Sequence, residues 1–227
     1  MTRGANLAAD TKQATSVDVC VQAIREMLLQ GVLLPGEHIR QVQMAKDLGV
    51  SRIPVREALA KLAEERVIVH TPDMGYTVAR FDIDDVREIY LMRRVLETEL
   101  LRATSARISA DDVAAMKAHN QAMRKADADT DFLSFQLHNR GFHFVLFDAA
   151  GLDLVKAEVA RLWNMVGTYH PLYIYDSSAR QRVLEEHDGI IELASKGDIE
   201  GLIKSADEHR EAAASKLGEV LRARAGR

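Results

Sequence analysis

Apolar residues near the start of the chain recur at the spacing of an α-helix. Val17, Val21, Ile24 and Leu28 lie three or four positions apart, which places them on one face of a helix. The spacing therefore predicts a first helix that begins at Val17. The preceding segment, residues 1–16, is polar and has no period, and it predicts a flexible arm.

The pattern then changes from helical to strand-like. The run QMAKDLG predicts a short second helix, and VREALAKLAEE, which follows Ser51, predicts a third. After them, VIVH and YTVARF have the β-branched and aromatic character of strands, and the turn-forming TPDMG separates them. Residues 17–80 are thus expected to fold as three helices followed by a hairpin.

Beyond Phe81 the strand signals end and only amphipathic helices follow. Six helices are predicted, at residues 84–105, 110–126, 131–149, 152–168, 177–195 and 198–223. The short breaks between them contain residues that cap or end helices. Residues 81–227 are therefore expected to form an all-α antiparallel helical bundle.

The start of the third helix carries two arginines at helical spacing. Ser51 is a good N-cap, because its hydroxyl can accept a hydrogen bond from a free backbone N–H of the first turn. Pro54 is tolerated in that first turn, where its missing N–H costs little. Arg52 and Arg56 are four residues apart, and so they lie on one face of the helix end.

Two arginines at a helix tip are common on ordinary protein surfaces, so the pair alone indicates no function. Its surroundings favour DNA binding, because the preceding helix, the short turn LGV and the following hairpin describe a winged helix-turn-helix. In that motif the N-terminal end of the second helix enters the major groove, where arginine binds guanine edges and phosphates. The predicted fold class is mainly α, with this N-terminal winged helix-turn-helix followed by the helical bundle.

The segment LLPGEHIRQVQMAKDLGVSRIPVREALAKLAEERVIVHTPDMGYTV resembles the winged-helix domain of GntR-type bacterial transcription regulators, in particular the FadR-like branch. The most specific part of the resemblance is GVSR.PVREAL. The resemblance implies DNA contacts by Ser51, Arg52 and Arg56. It also implies a contact by Gly75 at the tip of the wing, and a weaker one by Arg40 in the preceding segment.

The chain departs from the pattern of these regulators at two positions. Ile53 stands where threonine is usual, and Val42 stands where some members have a charged residue that contacts DNA. Both contacts are missing here. The departures therefore affect the expected operator sequence and leave the binding mode unchanged.

The whole chain is acidic, with a formal net charge of −4 and a pI of about 6.1. A DNA-binding surface must therefore be local. The single cysteine, Cys20, excludes an internal disulfide, and the sequence contains neither a signal peptide nor an apolar run of about 18 residues. We expect a cytoplasmic protein that does not enter the membrane.

Four potential metal ligands are distributed over three helices of the predicted bundle. Asn139 and His143 are four residues apart on one helix, and His187 and His209 lie on two others. Helical bundles build internal metal sites from such residues, and imidazole suits zinc as well as nickel, copper and iron. Histidines on helices are nevertheless more often core-edge or solvent residues, so spacing alone does not favour a shared site.

Residues 82–222 resemble FCD, the helical effector-binding domain of FadR-like regulators. His143, His187 and His209 match the three histidine positions of that domain's metal site. Asn139 stands in place of the more frequent aspartate, which removes a negative charge and is expected to weaken metal affinity. The resemblance implies a bound divalent metal, zinc or another transition metal such as nickel.

Arg93 falls on the apolar stripe of the first bundle helix, seven positions after Val86 and four after Ile89. An arginine that faces a core needs a carboxylate partner, which Glu97 or Glu99 could provide. The FCD resemblance implies a functional role beside this structural one. In that family an arginine at this position binds the carboxylate of a small organic acid.

Two alternatives stay open around this pocket. Arg94 is the effector-binding residue if the helix is rotated about its axis. Tyr169, Tyr173 and Tyr175, in the run TYHPLYIY, either line the same pocket or only pack in the core.

Together these patterns predict a ligand-responsive transcription regulator that is not an enzyme. It is expected to bind a near-palindromic operator in double-stranded DNA as a homodimer, under the control of a small carboxylate effector. The alternatives are a sensor of metal alone and a metal-dependent hydrolytic enzyme that activates water. Against the enzyme, Glu186 is expected to point about 100° away from His187 around their helix, which leaves no general base beside the ligands.

Overall fold

The computed structural model describes residues 15–225, and its N-terminal part contains three helices and a small sheet. The elements are α1 (Ser16–Leu29), β1 (His38–Ile39), α2 (Gln41–Asp47), α3 (Arg52–Glu64), β2 (Ile68–Thr71) and β3 (Gly75–Val78). The sheet has the order β1-β3-β2, and both pairings are antiparallel. The predicted three helices and hairpin are confirmed. β1 was not predicted, because a two-residue strand is too short to show an alternating pattern.

α1 begins one residue before the predicted position. Thr15 is its N-cap, and the side chains of Thr15 and Asp18 each accept a hydrogen bond from the other residue's backbone N–H. The last two residues of the predicted arm therefore form the cap and first turn of α1. The first fourteen residues of that arm lie outside the described part of the chain.

One apolar core holds the N-terminal part together, and α1 and α3 supply most of it. Ile24, Val55, Leu59 and Leu62 are fully buried in this core. Burying a side chain of this size contributes about 1.5–3 kcal/mol each. Because these residues fix the inner face of α3, its opposite face and its N-terminal end remain in solvent.

The C-terminal part is all-helical. It contains α4 (Ile83–Thr104), α5 (Ala110–Ala128), α6 (Phe132–Ala149), α7 (Asp153–Gly167), α8 (Ser177–Lys196) and α9 (Ile199–Ala225). The six predicted helices are confirmed, with ends that differ by at most two residues. A short 3-10 helix, His170–Leu172, lies in the predicted break between α7 and α8. Within residues 15–225 no helix is long and apolar enough to cross a membrane.

Side-chain caps explain where several of these helices start. Asp82, Ser109, Asp131 and Asp176 each accept hydrogen bonds from backbone N–H groups of the first turn. Short connections then return the chain, and α5 packs against α6 and α8 while α4 packs against α7 and α9. This packing places the inner faces of α6, α8 and α9 around one interior.

The predicted cap at Ser51 is only partly right. Ser51 occupies the N-cap position of α3, but its hydroxyl makes no capping hydrogen bond. A capping side chain accepts from the second or third residue of the helix, and the third residue here is Pro54, which has no N–H. The exposed hydroxyl of Ser51 is therefore left for another partner.

Candidate functional site

The N-terminal end of α3 presents two arginines to solvent. Arg52 is the first helical residue and Arg56 lies one turn later, and both are exposed, whereas Val55 between them is buried. Within residues 15–225 neither guanidinium has a carboxylate partner. Two unneutralised cations at a helix tip form a local positive surface on an acidic chain, which is what a phosphate backbone requires.

The two positions that depart from the family pattern lie on the outer surface of the helix-turn-helix. Ile53 is 61% exposed and Val42 is 65% exposed, so neither contributes to the core. Large exposed apolar side chains beside arginines suit a DNA surface, because the major groove carries the methyl groups of thymine. The loss of polar contacts at these positions therefore leaves an apolar surface in their place.

The wing is the hairpin of β2 and β3. Gly75, predicted at its tip, is the first residue of β3 and pairs with Thr71 directly after the turn. Its φ of +85° favours glycine, and a Cβ atom there would lie 3.2 Å from Cε1 of His38. Arg40 is the exposed N-cap of α2, on the adjoining segment.

Three histidines converge inside the helical bundle. His143 on α6, His187 on α8 and His209 on α9 have ring centroids 5.0, 5.1 and 5.1 Å apart. One ligand atom from each lies within 4.8 Å of those of the others. The spacing argument alone did not favour a shared site, and the packing of three helices brings these residues together.

The chemistry of these side chains fits a metal. Nε2 of His143, both ring nitrogens of His187 and Oδ1 of Asn139 are buried without a hydrogen-bond partner in the described residues. Burying such atoms unpaired costs about 1–3 kcal/mol each, so a missing partner is expected. Burial lowers the pKa of His143 and of His187 well below the ordinary value, and neighbouring positive charges add to this. Both rings are therefore neutral, which is the form that binds metal.

Glu186 lies beside this cluster, which corrects the expectation that it points away. Its Oε2 is 2.6 Å from Nδ1 of His209, on a different helix. A carboxylate that accepts from one ring nitrogen fixes the tautomer and leaves Nε2 to face a metal. Because Glu186 is bound to a candidate ligand, the contact suits orientation of His209 and not activation of water. Spacing along α8 could not reveal it, since the partner lies on α9.

Arg93 is buried, as its place on the apolar stripe predicts, and its partner is Glu97. Nε of Arg93 donates to Glu97 at 2.7 Å, Nε1 of Trp163 donates to the same oxygen at 2.8 Å, and Nε of Arg210 donates to the other oxygen at 2.9 Å. Burial raises the pKa of Glu97, but the charges of Arg93 and Arg210 outweigh it and lower the pKa below its ordinary value. Arg210 was not predicted.

The alternatives around this pocket can now be separated. Glu99 pairs with Arg102 at the surface and Arg94 is exposed, so neither faces the core. Tyr169 packs in the core, where its hydroxyl lies 2.5 Å from the backbone nitrogen of Phe81. The other two tyrosines differ from each other, because Tyr173 lines a cavity beside His209 whereas Tyr175 is exposed.

Two cavities adjoin the three histidines. One of about 70 Å³ is bordered by Asn139, His209 and Tyr173, with the cations Arg182 and Lys216 on its wall. The other, of about 20 Å³, is lined by residues that include Arg93, Arg210, His143 and His209. The smaller has room for about one water molecule, and the larger has room for a small ligand group.

This fold and these surfaces define a class of protein: a DNA-binding transcription regulator with a winged helix-turn-helix region and a helical C-terminal domain. Residues 17–78 match the family described as bacterial regulatory proteins, gntR family, and residues 88–212 match the FCD domain. The chain belongs to the GntR family of bacterial regulators, and its helical part is an FCD domain.

Relatives in two bacteria illustrate the match. The HTH-type transcriptional regulator McbR of Escherichia coli is 25% identical over 181 residues, which is 78% of this chain and 81% of McbR. A regulator from Streptomyces ambofaciens is 27% identical over 176 residues, 78% of this chain and 74% of the relative. The solved structure of E. coli McbR/YncC has a TM-score of 0.83 at 20% identity and covers 91% of this chain and 99% of that one. This structural likeness supports the fold.

Proposed function

We propose that this GntR-family regulator binds a near-palindromic operator as a homodimer and responds to a small carboxylate that binds beside a divalent metal in the FCD domain. The observation that carries the proposal is that two regions of the molecule contain polar groups without partners in the described chain. The tip of α3 has cations without carboxylates, and the bundle interior has histidines without hydrogen-bond partners. The cations suit the phosphates and base edges of DNA, and the buried imidazoles suit a metal ion.

On the DNA side, Arg52 and Arg56 contact guanine edges or phosphates in the major groove, and the hydroxyl of Ser51 contacts a phosphate. Arg40 contacts the backbone beside them, and Gly75 brings the wing close to the minor groove. The exposed Ile53 contacts thymine methyl groups next to the arginine contacts. In a dimer, the two half-sites lie one helical turn apart, roughly 34–36 Å.

In the bundle, His143, His187 and His209 hold the metal with Asn139 as a neutral fourth ligand. Three imidazoles favour zinc among common divalent metals, and nickel also suits this ligand set. Bound metal would supply a positive centre for a carboxylate. Because Asn139 adds no charge, the site keeps more positive charge toward an anion than one with an aspartate.

The effector carboxylate is proposed to reach the metal from the cavity of about 70 Å³ and to contact Arg93, which lines the cavity of about 20 Å³ that also borders His209. Glu97 accepts from Nε of Arg93, and the guanidinium has four further N–H donors. A ligand shifts a regulator only if it binds one state better than the other. Exchange of hydrogen bonds around Arg93 and Glu97, at the inner face of α4, would provide such a difference.

Dimerisation is supported by an apolar surface on α4. Leu91 and Val95 are each 54% exposed one helical turn apart, and Met92 beside them is 39% exposed. Exposed apolar patches on helices mark contact surfaces. Light scattering should report a dimer for the unmodified chain and a monomer for the double variant Leu91→Asp and Val95→Asp. A dimer that persists in that variant would place the contact elsewhere.

The experiment that tests the proposed function starts with duplexes selected from a random library by the purified protein. Fluorescence anisotropy then compares the unmodified chain with Arg52→Ala, Arg56→Ala and the control Arg87→Ala on α4. Each α3 variant should bind about 10- to 100-fold more weakly, since a specific arginine contact contributes about 1–3 kcal/mol. Failure to select any duplex, or equal binding by all variants, would contradict DNA recognition by α3.

The same assay separates the two modes of control. Protein stripped by a chelator, protein reloaded with zinc, and reloaded protein with small di- and tricarboxylates are compared on one selected duplex. A change in affinity that requires a carboxylate supports the proposal. A change produced by zinc alone, which no carboxylate alters, would support the metal-only sensor instead.

A further inference from the structure

A third cavity, of about 130 Å³, lies between the winged-helix part and the FCD domain. α1 borders it from one side through Gln22, Arg25 and Leu28, and Val67 adds to that side. α6, α7 and the 3-10 helix border it from the other side. None of the candidate metal ligands lines it, so it is separate from the histidine cluster.

Two arginines from different parts of the molecule line this cavity. Nη2 of Arg25, on α1, donates to both oxygens of Glu65 at 2.7 Å, while its Nε is buried and has no partner in the described residues. Arg140, on α6, lies with its guanidinium carbon 4.1 Å from the centre of the Phe144 ring. Within residues 15–225 no carboxylate pairs with Arg140.

The charges around the cavity do not balance. Arg25 and Arg140 carry two positive charges, and Glu65 supplies one negative charge that is already engaged with Arg25. Burial lowers the pKa of Arg140 to about 10, and the positive charges of Arg25 and Arg93 add to this while Glu65 opposes it. Arg140 is still a cation at neutral pH. A partly desolvated cation without a counter-ion is costly, which favours an anion from outside the chain.

The remaining lining is polar and can complete such a site. Gln136 on α6 borders the cavity, as does His170, whose Nδ1 is buried without a hydrogen-bond partner in the described residues. Nδ2 of Asn164 donates to Glu65 at 3.0 Å and so ties α7 to the winged-helix part. Amide and imidazole N–H groups are donors that bind anion oxygens beside a guanidinium.

We propose that this interdomain cavity binds a small oxyanion, a carboxylate or phosphate group, between Arg25 of α1 and Arg140 of α6. The volume exceeds that of a single water site several-fold, which is enough for such a group. The anion neutralises the excess charge and supplies acceptors for Arg140 and for Nε of Arg25. It binds both parts of the chain at once, so it favours the arrangement in which they are docked.

This site also adjoins the effector pocket. Gln136 and His170 line both the interdomain cavity and the 70 Å³ cavity beside His209. Next to His170, Pro171 packs so closely on the loop after α1 that a Cβ atom on Gly31 would lie 2.9 Å from its Cβ. An occupant of either cavity therefore contacts side chains that border the other, and the two ligands are expected to influence each other's binding.

The test is isothermal titration calorimetry on the full chain after treatment with a chelator, so that a metal cannot bind the probe. Inorganic phosphate and acetate are titrated separately, at constant ionic strength, and this distinguishes the two sources of an oxyanion. Arg140→Gln removes the charge, Arg140→Lys keeps it, and Arg87→Gln removes a charge from an exposed pair on α4. His187→Ala controls for binding at the histidine cluster.

The unmodified chain should bind at least one of the two anions at one site. Arg140→Gln should weaken this affinity at least tenfold, because hydrogen bonds to charged groups contribute about 1.5–3 kcal/mol. Arg140→Lys, Arg87→Gln and His187→Ala should stay within about threefold of the unmodified chain, a difference below that of one lost charged hydrogen bond. Binding of neither anion, or equal binding by Arg140→Gln, would overturn the proposal.

Thermal unfolding shows whether Arg140→Gln loses anion binding because it is less well folded. Without added anion, Arg140→Gln should unfold at the same temperature as the unmodified chain or higher, because it removes an unpaired cation. With the bound anion, the unfolding temperature of the unmodified chain should rise and that of Arg140→Gln should not. An equal rise in both proteins would show that the anion acts elsewhere.

Discussion

The arginines of the two parts of this regulator stand in opposite situations. Arg52 and Arg56 at the tip of α3 are exposed and lack a carboxylate within the described chain. Arg93 and Arg210 in the FCD domain are buried and share the two oxygens of Glu97. The first pair is available to a polyanion, whereas the second is paired with Glu97, and Arg210 also with Asp207, and so holds α4 to α9. Residue type alone therefore does not mark a binding site, and the partners of each arginine have to be considered with it.

The buried histidines extend the same comparison. A buried polar group normally has a partner, as Glu97 does, and the ring nitrogens of His187 have none. Inside one bundle, the carboxylate cluster is complete and the imidazole cluster is incomplete. The incomplete cluster is where we propose that a metal binds.

The largest effect is expected from Glu97→Ala, with Glu99→Ala on the same helix as its control. Glu97→Ala leaves the buried Arg93 without a carboxylate and Arg210 with Asp207 alone, and it should lower the free energy of unfolding by about 3–5 kcal/mol. Glu99→Ala breaks only an exposed pair and should cost less than about 1 kcal/mol. Urea unfolding measures both losses of stability. Similar losses in the two variants would contradict the difference between the buried and the exposed ion pairs.

Glu186→Gln tests the contact between the carboxylate and His209. A carboxylate that orients a metal-binding histidine typically changes metal affinity by about 10- to 100-fold when it is replaced. We expect a loss of this size in zinc competition with a chromophoric chelator. Glu185→Gln, at the neighbouring exposed position, should leave the affinity unchanged. A Glu186 variant with unmodified affinity would mean that the contact is only structural.

Acid should lower the stability of the metal-free protein, because its buried imidazoles are neutral in the folded state. Burial lowers the pKa of His170 from 6.5 to about 4, and the pKa values of His143 and His187 are also lowered. Below pH 6.5 the unfolded chain binds protons that the folded chain does not, so stability falls as the pH falls. Each such histidine adds up to about 1.4 kcal/mol per pH unit to this slope.

The contribution of His170 can be isolated between pH 4.5 and pH 6.5. The ordinary pKa of the Glu97 carboxyl is 4.5, and above that pH the carboxylate is ionised in both the folded and the unfolded chain. In this pH range, His170→Gln should reduce the slope of the free energy of unfolding against pH by up to about 1.4 kcal/mol per pH unit. Urea unfolding of chelator-treated protein at several pH values measures it. An unchanged slope in this variant would show that the ring is accessible to protons in the folded state.

The smallest effect separates two serines at helix starts. Ser109 accepts a hydrogen bond from the backbone of Asp112, so Ser109→Ala should cost about 1 kcal/mol of stability. Ser51 makes no such bond, and Ser51→Ala should change stability by less than about 0.5 kcal/mol. Any loss in Ser51→Ala should appear in DNA affinity. A stability loss equal to that of Ser109→Ala would mean that the hydroxyl does cap α3.

Most of the fold could be predicted from the sequence, because the long helices have strong apolar periods and recognisable caps. The start of α4 illustrates this, since Asp82 accepts hydrogen bonds from two backbone N–H groups. β1 was not predicted because its extended conformation depends on pairing with β3. The cap at Ser51 was misjudged because Pro54 removes one of the two backbone donors that such a cap can bind.

The candidate sites were predictable only in part. The arginines of α3 lie only four residues apart in sequence, so a local pattern identifies them. The contacts of Glu186 with His209, of Arg210 with Glu97 and of Arg140 with the interdomain cavity join distant segments. Helix spacing gives the face of a side chain and not the helix that it meets, so these contacts required the packed structure.

The most direct test of the central contrast is the metal content of the purified protein by elemental analysis. We predict about one zinc or other divalent transition-metal ion per chain, as for a site of three imidazoles with one further ligand. The metal should be lost in His143→Ala, His187→Ala and His209→Ala and kept in His119→Ala, which changes a histidine outside the cluster. Absence of metal from the unmodified protein, even after incubation with zinc, or retention of metal by the three variants would contradict the account.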